Sequence, residues 1–196
     1  MALKFDKYRF YHIPKTGGNY VRKVIRFIPS LAGTEEGHPH CGPLRLWGDG
    51  TGFTPHVPGN SFCCVRNPYS WYESFYRYRV QNGWKSDHPL DVNCRASTYD
   101  EFIWNMLKIW DSKDSPGYAS ILYYKHIPFC DHVLRMENLT PQLKSLFKKW
   151  GLPFPENVDA ENVTNKKIDT KLSPRLRKKL RDIDKDISNY LGYWKL

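Results

Sequence analysis

The sequence predicts an α/β domain in which a central parallel sheet is flanked by helices. Three observations carry that expectation. Short aromatic or β-branched runs alternate with segments whose apolar residues recur at helical spacing. One run, Ser61-Phe62-Cys63-Cys64-Val65, reads as the continuous apolar stretch of a strand buried on both faces. The first run, Tyr8 to Ile13, enters a Pro14-Lys15-Thr16-Gly17-Gly18 turn that is followed at once by a helical pattern, the strand, loop and helix order of an anion cradle.

The 196 residues suit a single domain over 1–196 with a real core, and 40% hydrophobic against 26% charged residues exclude a disordered chain. A net charge of +10 steers anions such as nucleotides, nucleic acid, anionic polysaccharide or membrane surface, without choosing among them. Five cysteines, Cys41, Cys63, Cys64, Cys94 and Cys130, form no C-x-x-C pair and read as reduced thiols in a reducing compartment. The opening Met-Ala-Leu-Lys-Phe-Asp carries no apolar signal core, and no run could span a bilayer. A soluble, cytoplasmic protein with no membrane partner is therefore expected.

Taken in order, residues 7–13 read as a buried strand and 18–28 as a helix with Val21, Val24, Ile25 and Ile28 on one face, stopped by Pro29. Residues 30–60 are rich in Gly, Pro, His and Trp and read as a long substrate-facing loop. After the strand at 61–65, Pro68 opens a helix running to about Val80 with Trp71, Phe75 and Tyr78 toward the core. Its crowded aromatics, Tyr69, Trp71, Tyr72, Tyr76 and Tyr78, are read mainly as core. Residues 81–97 look loop-like. Thr98-Tyr99-Asp100-Glu101 is a capping box for a helix striped by Phe102, Ile103, Met106, Leu107 and Trp110. Residues 118–127 fit a helix, 132–137 a strand, and Thr140 caps a helix that Gly151 ends. Ser173-Pro174 opens the last helix, striped by Leu176, Leu180, Ile183, Ile187 and Leu191.

Four blocks in this order resemble the sulfotransferases that use 3′-phosphoadenosine-5′-phosphosulfate (PAPS). Tyr11-His12-Ile13-Pro14-Lys15-Thr16-Gly17-Gly18 resembles their 5′-phosphosulfate loop, in the Pro-Lys-Thr-Gly-Gly form of the carbohydrate-type members. Cys64-Val65-Arg66-Asn67-Pro68, with Ser74 eight residues after Arg66, resembles their 3′-phosphate block. Val133 to Leu139 is similar to the strand before the family's late helix, and Asp186 to Tyr193 to its closing Asp-x-x-x-x-Gly-Tyr. Asn19-Tyr20 stand where Thr or Ser commonly follows Gly-Gly in the family, and Trp71 stands where a basic residue is common. The chain is short for the carbohydrate-type members and lacks their usual membrane anchor, which again points to a cytoplasmic enzyme.

The resemblance implies a single-domain, P-loop-NTPase-like sulfotransferase fold. It implies in-line, metal-independent transfer of a sulfuryl group from PAPS to an acceptor hydroxyl on a carbohydrate or small molecule, leaving adenosine 3′,5′-bisphosphate. Pro14, Lys15, Thr16, Gly17, Gly18, Asn19 and Tyr20 would then hold the 5′-phosphate, with Lys15 stabilising the departing oxygen. Arg66 and Ser74 would grip the 3′-phosphate, with Lys166 and Lys167 as weaker candidates. A histidine near its ordinary pKa of about 6.5 suits proton abstraction. His40, with His38 second, lies between the two cofactor blocks, where family members that use a histidine base often carry it; Glu73 and Glu137 stand behind them. Acceptor contacts fall on Arg45, Trp47 and Asp49. His12 is expected to pack beside the loop. His38, His40, Cys41 and His56 match no standard zinc spacing, so no metal is expected.

Two other readings compete. A nucleotide kinase of related fold is disfavoured because Lys15 precedes the glycines, opposite to G-x-x-x-x-G-K-[ST]. A nucleic-acid-binding protein is suggested by Arg175-Leu176-Arg177-Lys178-Lys179-Leu180-Arg181, but Asp182, Asp184 and Asp186 on the same segment make it look like a solvated, mixed-charge face. No nucleic-acid partner is expected on that basis.

Overall fold

The computed structural model describes residues 2–31, 34–36, 58–109, 116–156, 158 and 167–193. In chain order its elements are β1 (Ala2–Phe5), β2 (Tyr8–Tyr11), α1 (Gly18–Arg26), β3 (Thr34–Glu36), β4 (Ser61–Val65), α2 (Pro68–Asn82), α3 (Pro89–Cys94), α4 (Tyr99–Ile109), α5 (Tyr118–Tyr124), β5 (His132–Arg135), α6 (Leu139–Lys149), α7 (Pro174–Ile183) and α8 (Lys185–Tyr190). The described strands form one sheet in the order β3-β1-β2-β4-β5. The protein is mixed α/β, and its described residues gather into two compact units, 1–66 with 123–162 and 67–122 with 163–196.

The first unit holds the sheet. β2, β4 and β5 run parallel, with Tyr11 opposite Cys63 and Val65 opposite Arg135. The sheet departs from the all-parallel expectation at its other side, where β1 pairs antiparallel with both β2 and β3. The single strand expected over 7–13 is instead the second arm of a hairpin. Asp6 turns it at φ 51°, a left-handed conformation that Asp tolerates better than most residues. Lys4 in the middle of β1 masked a four-residue strand whose other members are all buried.

β2 and β4 are buried along their whole length, as the apolar run at 61–65 predicts. Phe5, Phe10, Phe62, Val21, Val24, Ile25, Leu143 and Phe147 share one core, so α1 and α6 both bury apolar faces on the sheet. Tyr8 closes it, stacking on Trp150 and donating its hydroxyl to the Trp150 carbonyl at 3.0 Å. Ser61 anchors the start of β4 through Asp131: its N–H donates to the carboxylate at 3.0 Å and its hydroxyl at 2.5 Å. α6 starts at Leu139, so Thr140 lies in its first turn rather than capping it, and its hydroxyl donates to the Tyr20 hydroxyl at 2.9 Å.

The second unit is helical. Asn67 caps α2 by accepting from the N–H groups of Tyr69 and Ser70, with Pro68 in the first turn as expected. Trp71, Tyr72, Phe75 and Tyr76 are core, packed with Phe102, Ile103, Leu176 and Leu180. Within 81–97, expected as loop, α3 is held by a buried pair: Asp91 receives Arg79 Nε at 2.8 Å and the Lys85 N–H at 2.8 Å. The capping-box helix forms as α4, where the Thr98 hydroxyl accepts the Glu101 N–H at 3.2 Å. The last helix is broken in two at Asp184. That aspartate is only 3% exposed, and its carboxylate accepts the Tyr72 hydroxyl at 2.8 Å, the Ser120 N–H at 3.1 Å and the Ser120 hydroxyl. Gly117 makes room for it, since an added Cβ there would collide with the carboxylate.

Candidate anion-binding site

Parallel strands bring their carboxyl ends to one edge, and in open α/β sheets ligands sit in the crevice beyond that edge. Here β2, β4 and β5 deliver the 12–18 loop, Arg66 and the turn at Arg135 to a common edge of the first unit. The loop is built from inside outward. Ile13 is fully buried, and Thr16, equally buried, donates its hydroxyl to the Ile13 carbonyl at 2.7 Å, pinning the loop's base.

The backbone above that base alternates in handedness. Lys15 has φ 65° and Gly17 has φ 89°, whereas Thr16 and Gly18 are not left-handed. Successive residues of opposite hand turn their N–H groups into a common concavity that suits an anion. Glycine takes such a φ without strain, but lysine does not. A strained non-glycine residue at the mouth of a loop is the kind of outlier that marks a functional position.

α1 begins directly at Gly18. Its N-cap residue, Gly17, has no side chain to cap it, and no acidic residue stands in its first turn. The positive end of its dipole therefore faces the loop without compensation from its own side chains.

Space also bears on both glycines. A Cβ on Gly17 would fall 2.5 Å from the sulfur of Met136, in the turn after β5, and 2.7 Å from Leu139 at the start of α6, both of them ends of flexible side chains. A Cβ on Gly18 would run into the His12 ring, which is 7% exposed and stacks on Phe10. At an open helix start, Gly→Ala ordinarily stabilises. Gly18→Ala is expected instead to cost about 1–3 kcal/mol through overpacking against His12. Urea denaturation checks the sign, and truncating His12 in the same chain should recover part of the loss.

Arg66 follows β4 directly. Its guanidinium Nη1 donates to the Lys15 carbonyl oxygen at 3.5 Å, which ties the arginine to the backbone of the loop. The buried Tyr123 holds its backbone on both sides, accepting the Arg66 N–H at 3.1 Å and donating its hydroxyl to the Arg66 carbonyl at 2.6 Å. Arg135 adds a third positive charge at the end of β5, its backbone gripped by the Gln142 amide at 3.1 and 3.3 Å. The arrangement can hold a phosphate or sulfate ester between backbone N–H groups, a helix N-terminus and cationic side chains.

No family model matches the chain, and neither the curated proteins nor the solved structures gave a match.

Of the residues that the sequence singled out, Pro14, Lys15, Thr16, Gly17, Gly18 and Arg66 stand together at this edge. Asn19 is exposed in the first turn of α1, while the Tyr20 hydroxyl is engaged by Thr140. Glu137 lies in the turn after β5 at the same edge. Ser74 belongs to the second unit, 4% exposed on α2, and the exposed Lys167 belongs to that unit's loop before α7. Glu73 is paired with Arg77 at 3.4 Å. His38, His40, Arg45, Trp47, Asp49 and Lys166 lie outside the described residues.

Two positions at the edge carried no signal in the sequence. Tyr123 sits in an aromatic helix where nothing marks one ring as a clamp on a distant arginine. Arg135 closes a strand that reads only as a strand. The register of β4 against β5 is what sets Arg135 beside Val65, and so beside Arg66.

Proposed function

We propose that the protein is a PAPS-dependent sulfotransferase with a P-loop-NTPase-like sulfotransferase fold. It transfers a sulfuryl group to an acceptor hydroxyl on a carbohydrate or small molecule. The observation that carries this reading is the alternating-hand loop at 15–18, which leads directly into α1 and has its Lys15 carbonyl held by the Arg66 guanidinium. Its residue order, with lysine ahead of the glycines, favours a phosphosulfate over the ATP of the usual P-loop.

The residues fit the 5′-phosphate end of such a nucleotide: the loop N–H groups, the α1 N-terminus and Lys15 are all donors, as an anionic ester requires. PAPS, when bound, supplies the activated sulfuryl group. Lys15 and the loop N–H groups stabilise negative charge on the 5′-phosphate as its bond to sulfur breaks. Arg66 offers a planar fork for the 3′-phosphate. Ser74, which the resemblance assigns to that phosphate, is 4% exposed on α2. His40, or His38, takes the acceptor's proton, and Glu137 is the described carboxylate able to replace them at this edge. Catalysis of this kind rests on positioning and fixed charge, as phosphoryl transfer does.

The reading is tested by incubating the full chain with radiolabelled PAPS and a panel of glycans, phenols and amines. Label transferred to a hydroxyl-bearing acceptor supports it. Phosphate transfer from ATP with magnesium, and no sulfate transfer, would assign the site to a nucleotide kinase.

A further inference from the structure

The sequence sets three aspartates against the basic run 175–181, but the structure buries one of them and places another on the next helix. Asp184 turns inward to Tyr72 and Ser120, and Asp186 lies on α8, beyond the break that ends α7. What remains on α7 is Arg175, Arg177, Lys178, Lys179 and Arg181, all exposed, against Asp182 alone. None of the five forms an ion pair with a described residue. Leu176 and Leu180 bury the opposite side, so the helix cannot rotate its charges away.

The basic face continues onto α4. Trp104 is 38% exposed, and both Lys108 Nζ, at 5.3 Å, and Lys179 Nζ, at 5.8 Å, sit over its ring. Elsewhere on α7, Pro174, Arg177, Lys178, Arg181 and Asp182 line an open cleft of about 270 Å³. Unneutralised cations along one helix, with an exposed indole among them, match a chain that carries both regular negative charge and flat π surfaces. A helix of this length, about 15 Å, spans several phosphates of one strand, whose rise in a duplex is about 3.4 Å each. An anionic polysaccharide would use the charges but offers the indole no aromatic partner.

We infer that α4 and α7 form a docking face for single-stranded nucleic acid, with the α7 cations on its phosphates and Trp104 against a base. The inference is independent of the proposed sulfuryl transfer. It departs from the sequence expectation of no nucleic-acid partner because Asp184 is buried and cannot neutralise that surface.

The test is fluorescence anisotropy of a labelled oligouridylate of about 12 nucleotides titrated with the full chain between about 50 and 200 mM salt. Three to five displaced counterions give a slope of log affinity against log salt of about −2 to −3.5. The variant Lys178→Glu/Lys179→Glu/Arg181→Glu should lose at least about 30-fold in affinity. Lys144→Glu/Lys148→Glu/Lys149→Glu makes the same change of net charge on the exposed side of α6, and should stay within about threefold. Trp104→Ala should cost about 5-fold or more, and Trp104→Phe much less. Equal losses in the two triple variants would overturn the proposal, since net charge alone would then explain the binding. Heparin binding tighter than the oligonucleotide, with Trp104→Ala silent, would also overturn it and assign the face to an anionic polysaccharide.

Discussion

Replacing Lys15 by alanine should lower the proposed sulfuryl transfer by about 10²–10³-fold, the scale seen when one donor to a developing negative charge is removed. The loss should fall mainly on kcat, because the charge that Lys15 meets grows as the bond to sulfur breaks. Lys15→Gly separates this role from the fold. Lys15 is held at φ 65°, where an L-residue is strained by about 1–2 kcal/mol. Glycine relieves that strain, so the glycine variant should be as stable as the parent or more so, yet as inactive as the alanine variant. Activity is measured by label transferred from PAPS to the acceptor and stability by urea denaturation. A Lys15→Gly chain that is both destabilised and active would mean that the lysine serves the loop's shape and not its chemistry.

The largest stability effect is expected at Asp184. Its carboxylate accepts from Tyr72 and twice from Ser120, and the Tyr72 hydroxyl in turn accepts the Ala119 N–H at 3.2 Å. Asp184→Ala leaves those buried donors without an acceptor and should cost about 3–5 kcal/mol, whereas the exposed Asp182→Ala should stay within about 0.5 kcal/mol.

A pH dependence follows from the same geometry. Burial raises the Asp184 pKa above its ordinary value, and the hydrogen bonds from Ser120 and Tyr72 only partly oppose it. An acid with a raised pKa holds its proton more tightly in the folded state. Its contribution to stability is therefore full below the ordinary carboxylate value of about 3.9 and declines as pH rises through the raised folded value. Asp184→Asn carries no such dependence. The stability of the parent relative to Asp184→Asn should fall over that window, and a difference that rises instead would contradict a desolvated carboxylate at this position.

Much of the sheet was legible because periodicity reports burial directly. The continuous apolar run at 61–65 became β4, buried throughout, and Pro68 opened α2 where an N-terminal proline belongs. Illegible features depended on partners distant in sequence. β1 exists because it pairs with β2 and β3, and its own four residues carry too little pattern. α3 rests on Asp91 meeting Arg79, a contact that no local window contains. Asp184 reads as one more polar residue on a solvated helix until Tyr72 and Ser120 are brought to it. At the candidate site the loop was legible residue by residue, since its glycines and lysine are contiguous. The clamp of Tyr123 on Arg66 was not, because 57 residues separate them.

The most direct measurement of the central claim is the change in melting temperature on adding adenosine 3′,5′-bisphosphate, compared with ATP and magnesium. A ligand that binds only the folded chain stabilises it by about 2.7 kcal/mol at a hundredfold excess over its Kd. The bisphosphate should raise the melting temperature of the parent and raise that of the Arg66→Ala variant far less, while ATP with magnesium leaves both almost unmoved. Stabilisation by ATP with magnesium and none by the bisphosphate would contradict the assignment of the 14–18 loop and Arg66 to a phosphosulfate nucleotide.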